Sequence, residues 1–493
     1  MHAQIGFVRL AKKEIQSIIE SIIDNVRFGI HRMTLNYFDR RGFLKATAAL
    51  VVMAMTTCVL AGAEAKTAGR PNILFCFADD WAWPHAGVYG DKVVKTPAFD
   101  RLAKEGVLFQ HAFVSSPSCT PSRNAILTGQ QFYRLERGAN LKGPLDAKHP
   151  NFMFLLREAG YEVGHRSKAW GPGDFKKGGY TEHPCGPEVN FEEFMNSRDK
   201  GNPFCFWFGT NDPHRPYSKG KGAQSGIDLD KIHVPKFYPD EREIRSDIAD
   251  YYYAVQRWDN DVANALKLLE QAGELDNTIV VMTGDNGIPF PRCKTNLYDW
   301  GVRAPLAIRW GSKIKPGRTV TDFVSLTDLA PTFLEAAGVE VPADMTGHSL
   351  IPVIKAEGEG RIDKSRDFMV FGRERHLADY PMRGLRTDKW LLILNLKPDL
   401  WPAGDPDKYI DCDRGPTKEL ILSGANNPAT KKYYDMCFGK RGPVELYDCE
   451  NDPEQVNNLA NDPKYAETLE KLRTQLVNYL KTTKDPRFTD IVK

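Results

Sequence analysis

The sequence predicts an α/β fold, a large sheet with helices on both faces, followed by a smaller C-terminal α+β domain. Three observations predict it. Continuous apolar runs (NILFCFA, PFCFWFG, TIVVMT) alternate with helical patterns. Each run ends near acids, amides or a histidine. After about residue 360 the texture changes to short strand-like pieces. Continuous apolar runs fit strands covered on both faces, and strand–helix alternation builds a doubly wound sheet.

The first run, Asn72 to Ala78, stops at Asp79-Asp80. Helical patterns cover Pro97–Glu105 and Asn151–Ala159. Pro203 to Gly209 is the second run, ending near Asp212 and His214. One long helix is expected over Glu241–Ala272, stopped by Gly273, with Tyr251-Tyr252-Tyr253 in its core. The third run, Thr278 to Thr283, leads into Gly284-Asp285-Asn286-Gly287. A helix follows over Leu326–Ala337. Beyond it come strand-like Phe368–Phe371 and Trp390–Leu394, a polar stretch from Asp399 to Lys431, and a last helix over Lys464–Thr482. The expected units are a leader (1–65), a catalytic domain (70–360) and an α+β subdomain (361–493). In open α/β sheets ligands bind beyond the carboxyl ends of the strands, where all three runs place polar residues.

Of 493 residues, 42% are hydrophobic and 26% charged, which excludes a disordered or fibrous chain. The formal net charge is +2. Residues 1–65 hold eight Lys/Arg and five Asp/Glu, so the remainder is at −1. Such a body has no polycationic face, and a nucleic-acid partner is excluded. An anionic substrate needs a local cluster to hold it. Within the leader, Asp39 to Lys45 (DRRGFLK) resembles a twin-arginine export motif. A mildly apolar run, Ala46 to Ala63, and a cleavage-like Ala63-Glu64-Ala65 follow. The run is barely long enough to span a bilayer, so the expectation is a cleaved signal, no stable membrane span in the mature chain, and a periplasmic or extracellular location. Met55-Thr56-Thr57 makes a poor lipobox before Cys58, and Met33 is a candidate start. The nine cysteines contain no CxxC pair and suggest no zinc site. Cys76 and Cys205 read as buried small hydrophobes, while Cys437 and Cys449 could form a bridge in an oxidising compartment.

Asp79-Asp80 and Asp285-Asn286 offer four oxygen donors at two strand ends. Hard oxygen ligands suit Ca²⁺ or Mg²⁺. Taken singly, each pair could equally serve turns or helix caps. The more specific signal is Ser118-Cys119-Thr120-Pro121-Ser122-Arg123, followed by Leu127-Thr128-Gly129. This stretch resembles the signature of the type I (formylglycine) sulfatases of the alkaline phosphatase superfamily.

The resemblance covers most of the chain after residue 70. It takes in Asn72 to Asp80, Thr96 to Gly106, Gly160-Tyr161 with Lys168, Asp212 to Pro216, and Asp285-Asn286 followed by Lys294. It implies an alkaline-phosphatase-like sheet. It also implies that a separate formylglycine-generating enzyme converts Cys119 to Cα-formylglycine. One hydroxyl of the hydrated aldehyde attacks sulfur, and the other later expels sulfate. One Ca²⁺ per subunit would be held by Asp79, Asp80, Asp285 and Asn286 together with the modified Cys119. Arg123, one helical turn beyond Cys119, would hold the formylglycine hydroxyl and the metal carboxylates. Lys168 and Lys294 would neutralise sulfate oxygens. His214 would protonate the leaving group, and the helix after Cys119 would add partial positive charge.

Gly284 to Pro291, Thr295 to Tyr298, Asp212 to Arg215 and Tyr380 to Arg383 resemble more narrowly the heparan N-sulfatases. The substrate implied is a sulfated glycan, an N-sulfated glucosamine of heparan type. Alternatives are an O-sulfatase on another polysaccharide, a phosphodiesterase or phosphonate hydrolase, or a sulfated-glycan binding protein with a weak site. Two departures stand out. Trp170 occupies the place where many sulfatases carry a histidine for collapse of the hemiacetal sulfate, a role His165 could assume. Lys294 stands where N-sulfatases carry arginine, keeping the charge but losing bidentate geometry. His376, Arg383 and His85 are the expected substrate contacts, with Trp83 beside His85 on the rim.

Overall fold

All three apolar runs fold as neighbouring strands of one seven-stranded sheet. The computed structural model describes residues 69–492. From edge to edge the sheet runs Glu162–Arg166 (β3), Phe204–Gly209 (β4), Asn72–Ala78 (β1), Thr278–Gly284 (β5), Leu306–Arg309 (β6), Val107–Phe113 (β2) and Arg318–Ser325 (β7), numbered in chain order. Only β6 runs antiparallel to its neighbours. The expected leader, with Arg40-Arg41, Met33 and Cys58, lies outside the described residues. Among those described, no helix is long and apolar enough to cross a membrane.

The period-2 alternation of a strand explains why the runs are apolar throughout. Ile73, Phe75 and Phe77 of β1 join Cys205 and Trp207 of β4 and Ile279 and Val281 of β5 in one core. Leu74, Cys76 and Ala78, with Phe204, Phe206 and Phe208 and with Val280 and Met282, enter the core on the opposite face. The second core is closed by the helices Pro97–Glu105, Phe191–Ser197 and Arg242–Gln271. The first is closed by Cys119–Thr128, Phe152–Glu158 and Leu329–Ala336. Each fully buried Phe or Leu contributes about 1.5–3 kcal/mol, which is the physical content of the sequence pattern.

The smaller sheet is antiparallel, in the order Val444–Asp448 (β11), Trp390–Asn395 (β10), Asp379–Thr387 (β9) and Phe368–Arg375 (β8). Leu472, Leu476 and Leu480, at i, i+4 and i+8 of the helix Ala466–Thr482, are buried on its helical side. Their hydrophobic cluster is continuous with one core of the large sheet. Residue 360 therefore marks a change of sheet rather than a change of core. Two expectations are corrected. The helix over Leu326–Ala337 is split: a capping box between Ser325 and Asp328 forms a 3₁₀ turn at Leu326–Asp328, and the α-helix begins at Leu329. No Cys437–Cys449 bridge forms. The Cys437 thiol faces the Phe237 carbonyl at 3.5 Å, and Cys449 lies 3.7 Å from Gln455 Nε2.

Candidate active site at the carboxyl edge of the large sheet

Four adjacent strands, β3, β4, β1 and β5, each send a polar loop to the same edge. After β1 come Asp79 and Asp80, after β5 Asp285, Asn286 and Lys294, after β3 Lys168, and after β4 His214. The loops approach closely because glycines stand at the strand ends. A Cβ on Gly284 would lie 2.3 Å from the Trp81 carbonyl, and one on Gly209 would lie 2.3 Å from the Lys168 carbonyl. Asp80, Ser167 and Thr295 have φ of 70°, 53° and 70°. Left-handed backbone costs a non-glycine residue about 1 kcal/mol or more, and here it sits on or beside the charged residues that converge.

Carboxylate oxygens of Asp79, Asp80 and Asp285 and the Cys119 sulfur lie within 4.8 Å of one another, all buried. Cys119 Sγ is 3.6 Å from Asp79 Oδ1 and 3.9 Å from Asn286 Nδ2. The Asp80 N–H donates to Asp285 Oδ1 at 2.8 Å, locking the two strand ends together. Arg123 is fully buried. Its Nε donates to Asp285 Oδ2 at 2.8 Å, one terminal nitrogen donates to the Lys168 and Ala169 carbonyls, and the other lies 3.5 Å from Asp79 Oδ1. Lys168 Nζ reaches Asp79 Oδ2 at 2.5 Å, and Lys294 Nζ reaches Asp80 Oδ2 at 2.8 Å.

Electrostatics bear on whether a cation fits. Burial works against the Asp79 charge, but Lys168 and Arg123 overcome it and hold that carboxyl far below the usual range. Asp80 goes the other way: burial raises it, and Lys294 and His214 offset this only in part. Asp80 Oδ1 and Asn286 Oδ1 are buried acceptors with no hydrogen-bond partner. Three buried carboxylates with these orphaned oxygens beside them are a hard-oxygen donor set that fits Ca²⁺ or Mg²⁺.

Cys119 opens the helix Cys119–Thr128, which Gly129 ends in left-handed conformation. Its thiol is pushed well up by burial. Ser118 sits at the N-cap but makes no capping bond. Its hydroxyl is instead hydrogen-bonded to His376 Nδ1 at 2.8 Å. Pro121 has no N–H and the Ser122 N–H donates to the Ser118 carbonyl at 3.0 Å, so the N–H groups of Cys119 and Thr120 are those left at this helix end. His376 enters from the turn between β8 and β9. Burial, then Lys294 and Arg373, hold its imidazole neutral. His214 Nδ1 donates to the Arg215 carbonyl at 2.5 Å, which turns Nε2 toward Asp80 at 3.7 Å.

Not every expected residue joins the cluster. Arg383 is wholly buried, bound to Asp485 at 2.5 Å and Glu374 at 2.6 Å, and has no surface to offer a substrate. His85, 2% exposed, is packed against Tyr251, Tyr252 and Trp300 and is not part of the cluster. Its neighbour Trp83 stacks under the Arg303 guanidinium. His165 stacks on His183 and donates to the Gly186 carbonyl, so it does not stand in for the histidine missing at Trp170. Trp170 itself donates from Nε1 to Asn124 Oδ1 at 2.6 Å, bracing the helix that Cys119 opens. One residue went unforeseen. Asp413 lies 3.4 Å from Lys294 Nζ, and a carboxylate oxygen of it, one of Asp80 and a ring nitrogen of His214 lie within 4.8 Å of one another. It comes from the polar stretch that reads as a connector, and the one signal was the acid-rich Asp411-Cys412-Asp413 just before Gly415-Pro416.

Comparison with known families agrees with this geometry. The Sulfatase family model matches residues 71–339, and the model described as N-sulphoglucosamine sulphohydrolase, C-terminal, matches residues 293–408. Human N-sulphoglucosamine sulphohydrolase is 31% identical over 85% of this chain and 91% of its own length. An ulvan-active sulfatase of Formosa agariphila is 29% identical over 84% and 81%. A solved structure bound to its substrate, D-glucosamine-2-N,6-O-disulfate, superposes with a TM-score of 0.61 at 23% identity, covering 84% of this chain and 98% of that one. The phosphonate monoester hydrolase of Agrobacterium radiobacter shares the fold at a TM-score of 0.59 and 17% identity, covering 84% of this chain and 96% of that one.

Proposed function

Because the chain belongs to the sulfatase family, a family of sulfate-ester and sulfamate hydrolases, we propose that it removes sulfate from an N-sulfated glucosamine of heparan-type glycans, after export and after conversion of Cys119 to Cα-formylglycine. The observation that carries the reading is the meeting of Cys119 with two acidic strand ends about 200 residues apart in sequence, within 4.8 Å. The 31% identity to human N-sulphoglucosamine sulphohydrolase supports the choice of substrate.

Asp79, Asp80, Asp285 and Asn286 would hold one Ca²⁺. Together with the formylglycine hydrate it would supply Lewis acidity and an oxygen nucleophile beside the sulfur. The rest belongs to the chain's own residues. Arg123 fixes Asp285 and Asp79 from behind. Lys168 and Lys294, now bound to Asp79 and Asp80, lie where they can turn to an arriving sulfate. The N–H groups of Cys119 and Thr120 would receive an anionic oxygen. His214, one side chain with substantial exposure here (31%), presents Nε2 to the leaving atom as proton donor. The export signal in the leader and the need for a maturation enzyme follow from the sequence resemblance.

The test is to co-express the chain with a formylglycine-generating enzyme and verify conversion by intact mass. Sulfate release is then measured from N-sulfoglucosamine and from glucosamine 6-O-sulfate. Release from the N-sulfated sugar, abolished in Cys119→Ala, is expected. Release from the O-sulfated sugar alone hands the assignment to the second reading, an O-sulfatase. That reading is favoured by relatives named ulvan-active sulfatase and, at 25% identity, N-acetylglucosamine-6-O-sulfatase of Bacteroides thetaiotaomicron. Near wild-type turnover in Cys119→Ala would remove the nucleophile altogether.

A further inference from the structure

Asp413 lies in a segment that neither family model matches, since they end at residues 339 and 408. Yet it stands in the site. The segment is pinned on both sides of it. Asp411 Oδ1 accepts the N–H groups of Leu377 at 2.7 Å and Ala378 at 2.8 Å, and Asp411 pairs with buried Arg373. Thr417 donates to Asp247 Oδ2 at 2.7 Å, and Asp247 is itself held by Arg215 at 2.7 Å. Between these anchors Asp413 is 30% exposed and His214 31%, whereas Asp79, Asp80, Asp285 and Lys294 are at 5% or less. The buried acids form the floor of the site, and the Asp413–His214 pair stands at its mouth.

A sulfate seated on the floor would direct its bridging atom toward that mouth, the side of the cluster with its most exposed side chains. An O-sulfate presents a bridging oxygen without a hydrogen, and a carboxylate beside it meets only lone pairs. An N-sulfate presents an N–H, and its product is an ammonium. Building on the N-sulfatase reading above, we infer that Asp413 is a specificity-determining residue that accepts a hydrogen bond from the bridging N–H and from the amine left after cleavage. In the step it serves, the S–N bond breaks and its electron pair stays on nitrogen, which takes a proton from His214. An oxygen ultimately derived from water forms the new S–O bond, and the protons released restore His214 and complete the ammonium. Sulfamate plus water thus becomes ammonium plus sulfate.

The test compares Asp413→Asn and Asp413→Ser with the wild type, all formylglycine-converted and calcium-loaded. kcat/KM is measured on N-sulfoglucosamine and on 4-nitrophenyl sulfate. Losing a charge-assisted hydrogen bond should cost roughly tenfold to a hundredfold on the sulfamate. The loss on the aryl sulfate should be at least tenfold smaller. Separately, binding of D-glucosamine is measured by calorimetry in a Cys119→Ala background, where no turnover occurs. There Asp413→Asn should weaken binding about tenfold, while N-acetylglucosamine should bind both proteins alike. Equal losses on the two substrates, or unchanged glucosamine affinity, overturn the assignment. Wild-type inactivity on N-sulfoglucosamine defeats the N-sulfatase reading instead, and the glucosamine binding result still decides whether Asp413 recognises an amine.

Discussion

Arg123 Nε donates to Asp285 Oδ2 at 2.8 Å, and neither side chain has any exposure. This pair joins the helix that opens with Cys119 to the end of β5. Removing the cation while keeping its volume, as in Arg123→Met, leaves Asp285 buried without its cationic partner and Asp79 with Lys168 alone. We expect a loss of about 3–5 kcal/mol in urea unfolding together with loss of turnover. Arg123→Lys keeps the charge but not the fork that also holds the Lys168 and Ala169 carbonyls. Its stability loss should be smaller, about 2 kcal/mol, with turnover still lost.

The three carboxylates Asp79, Asp80 and Asp285 face three cations, Arg123, Lys168 and Lys294. The chelated protein should therefore stay folded. Calcium should raise its melting temperature, equivalent to about 2.7 kcal/mol at a hundredfold excess over Kd. Asp80→Asn removes a floor carboxylate, so it should diminish that calcium-induced shift in a thermal melt. A melting temperature indifferent to calcium in the wild type would refute the metal site.

What was legible in the sequence was whatever a local pattern encodes. The strands β1, β4 and β5 are apolar on both faces, so their runs stand out. β2 and β7 carry Gln110, His111, Thr321 and Asp322 within them, which breaks the run, and neither was foreseen as a strand. The acids that meet at the sheet edge and Cys119 could be read because strand ends and one short signature locate them. Arg383 misled because its motif is a packing motif: the guanidinium serves Asp485, about 100 residues away, and no local pattern records such a pairing. Asp413 escaped notice for the opposite reason. Its place in the site depends on the distant anchors of Asp411 and Thr417, while its own surroundings in sequence are only polar.

Arg383 ties β9 to the segment after the helix Ala466–Thr482, through Asp485 at 2.5 Å, with Phe132 and Tyr133 rings about it. Arg383→Met should cost about 3–5 kcal/mol in stability, because Asp485 is left buried and unpaired. KM for the sulfated sugar should change less than twofold at a temperature where the variant is folded. A tenfold rise in KM with unchanged stability would return Arg383 to the substrate.

His85 supplies the pH prediction. Burial among Tyr251, Tyr252 and Trp300 lowers it from 6.5 to about 4. A folded-state value below the unfolded one means the unfolded chain takes the proton first as pH falls. The contribution is fully present above about pH 6.5 and is lost as pH drops toward 4. Between pH 7 and pH 5 this one residue should lower stability by about 2 kcal/mol. His85→Gln has no proton to take, so its urea midpoint should fall less steeply over that interval than that of the wild type. The comparison must be made between the two proteins, because His183 and His376 are depressed in the same direction and act in both. Parallel acid limbs would show that the ring among those aromatics is already protonated in the fold.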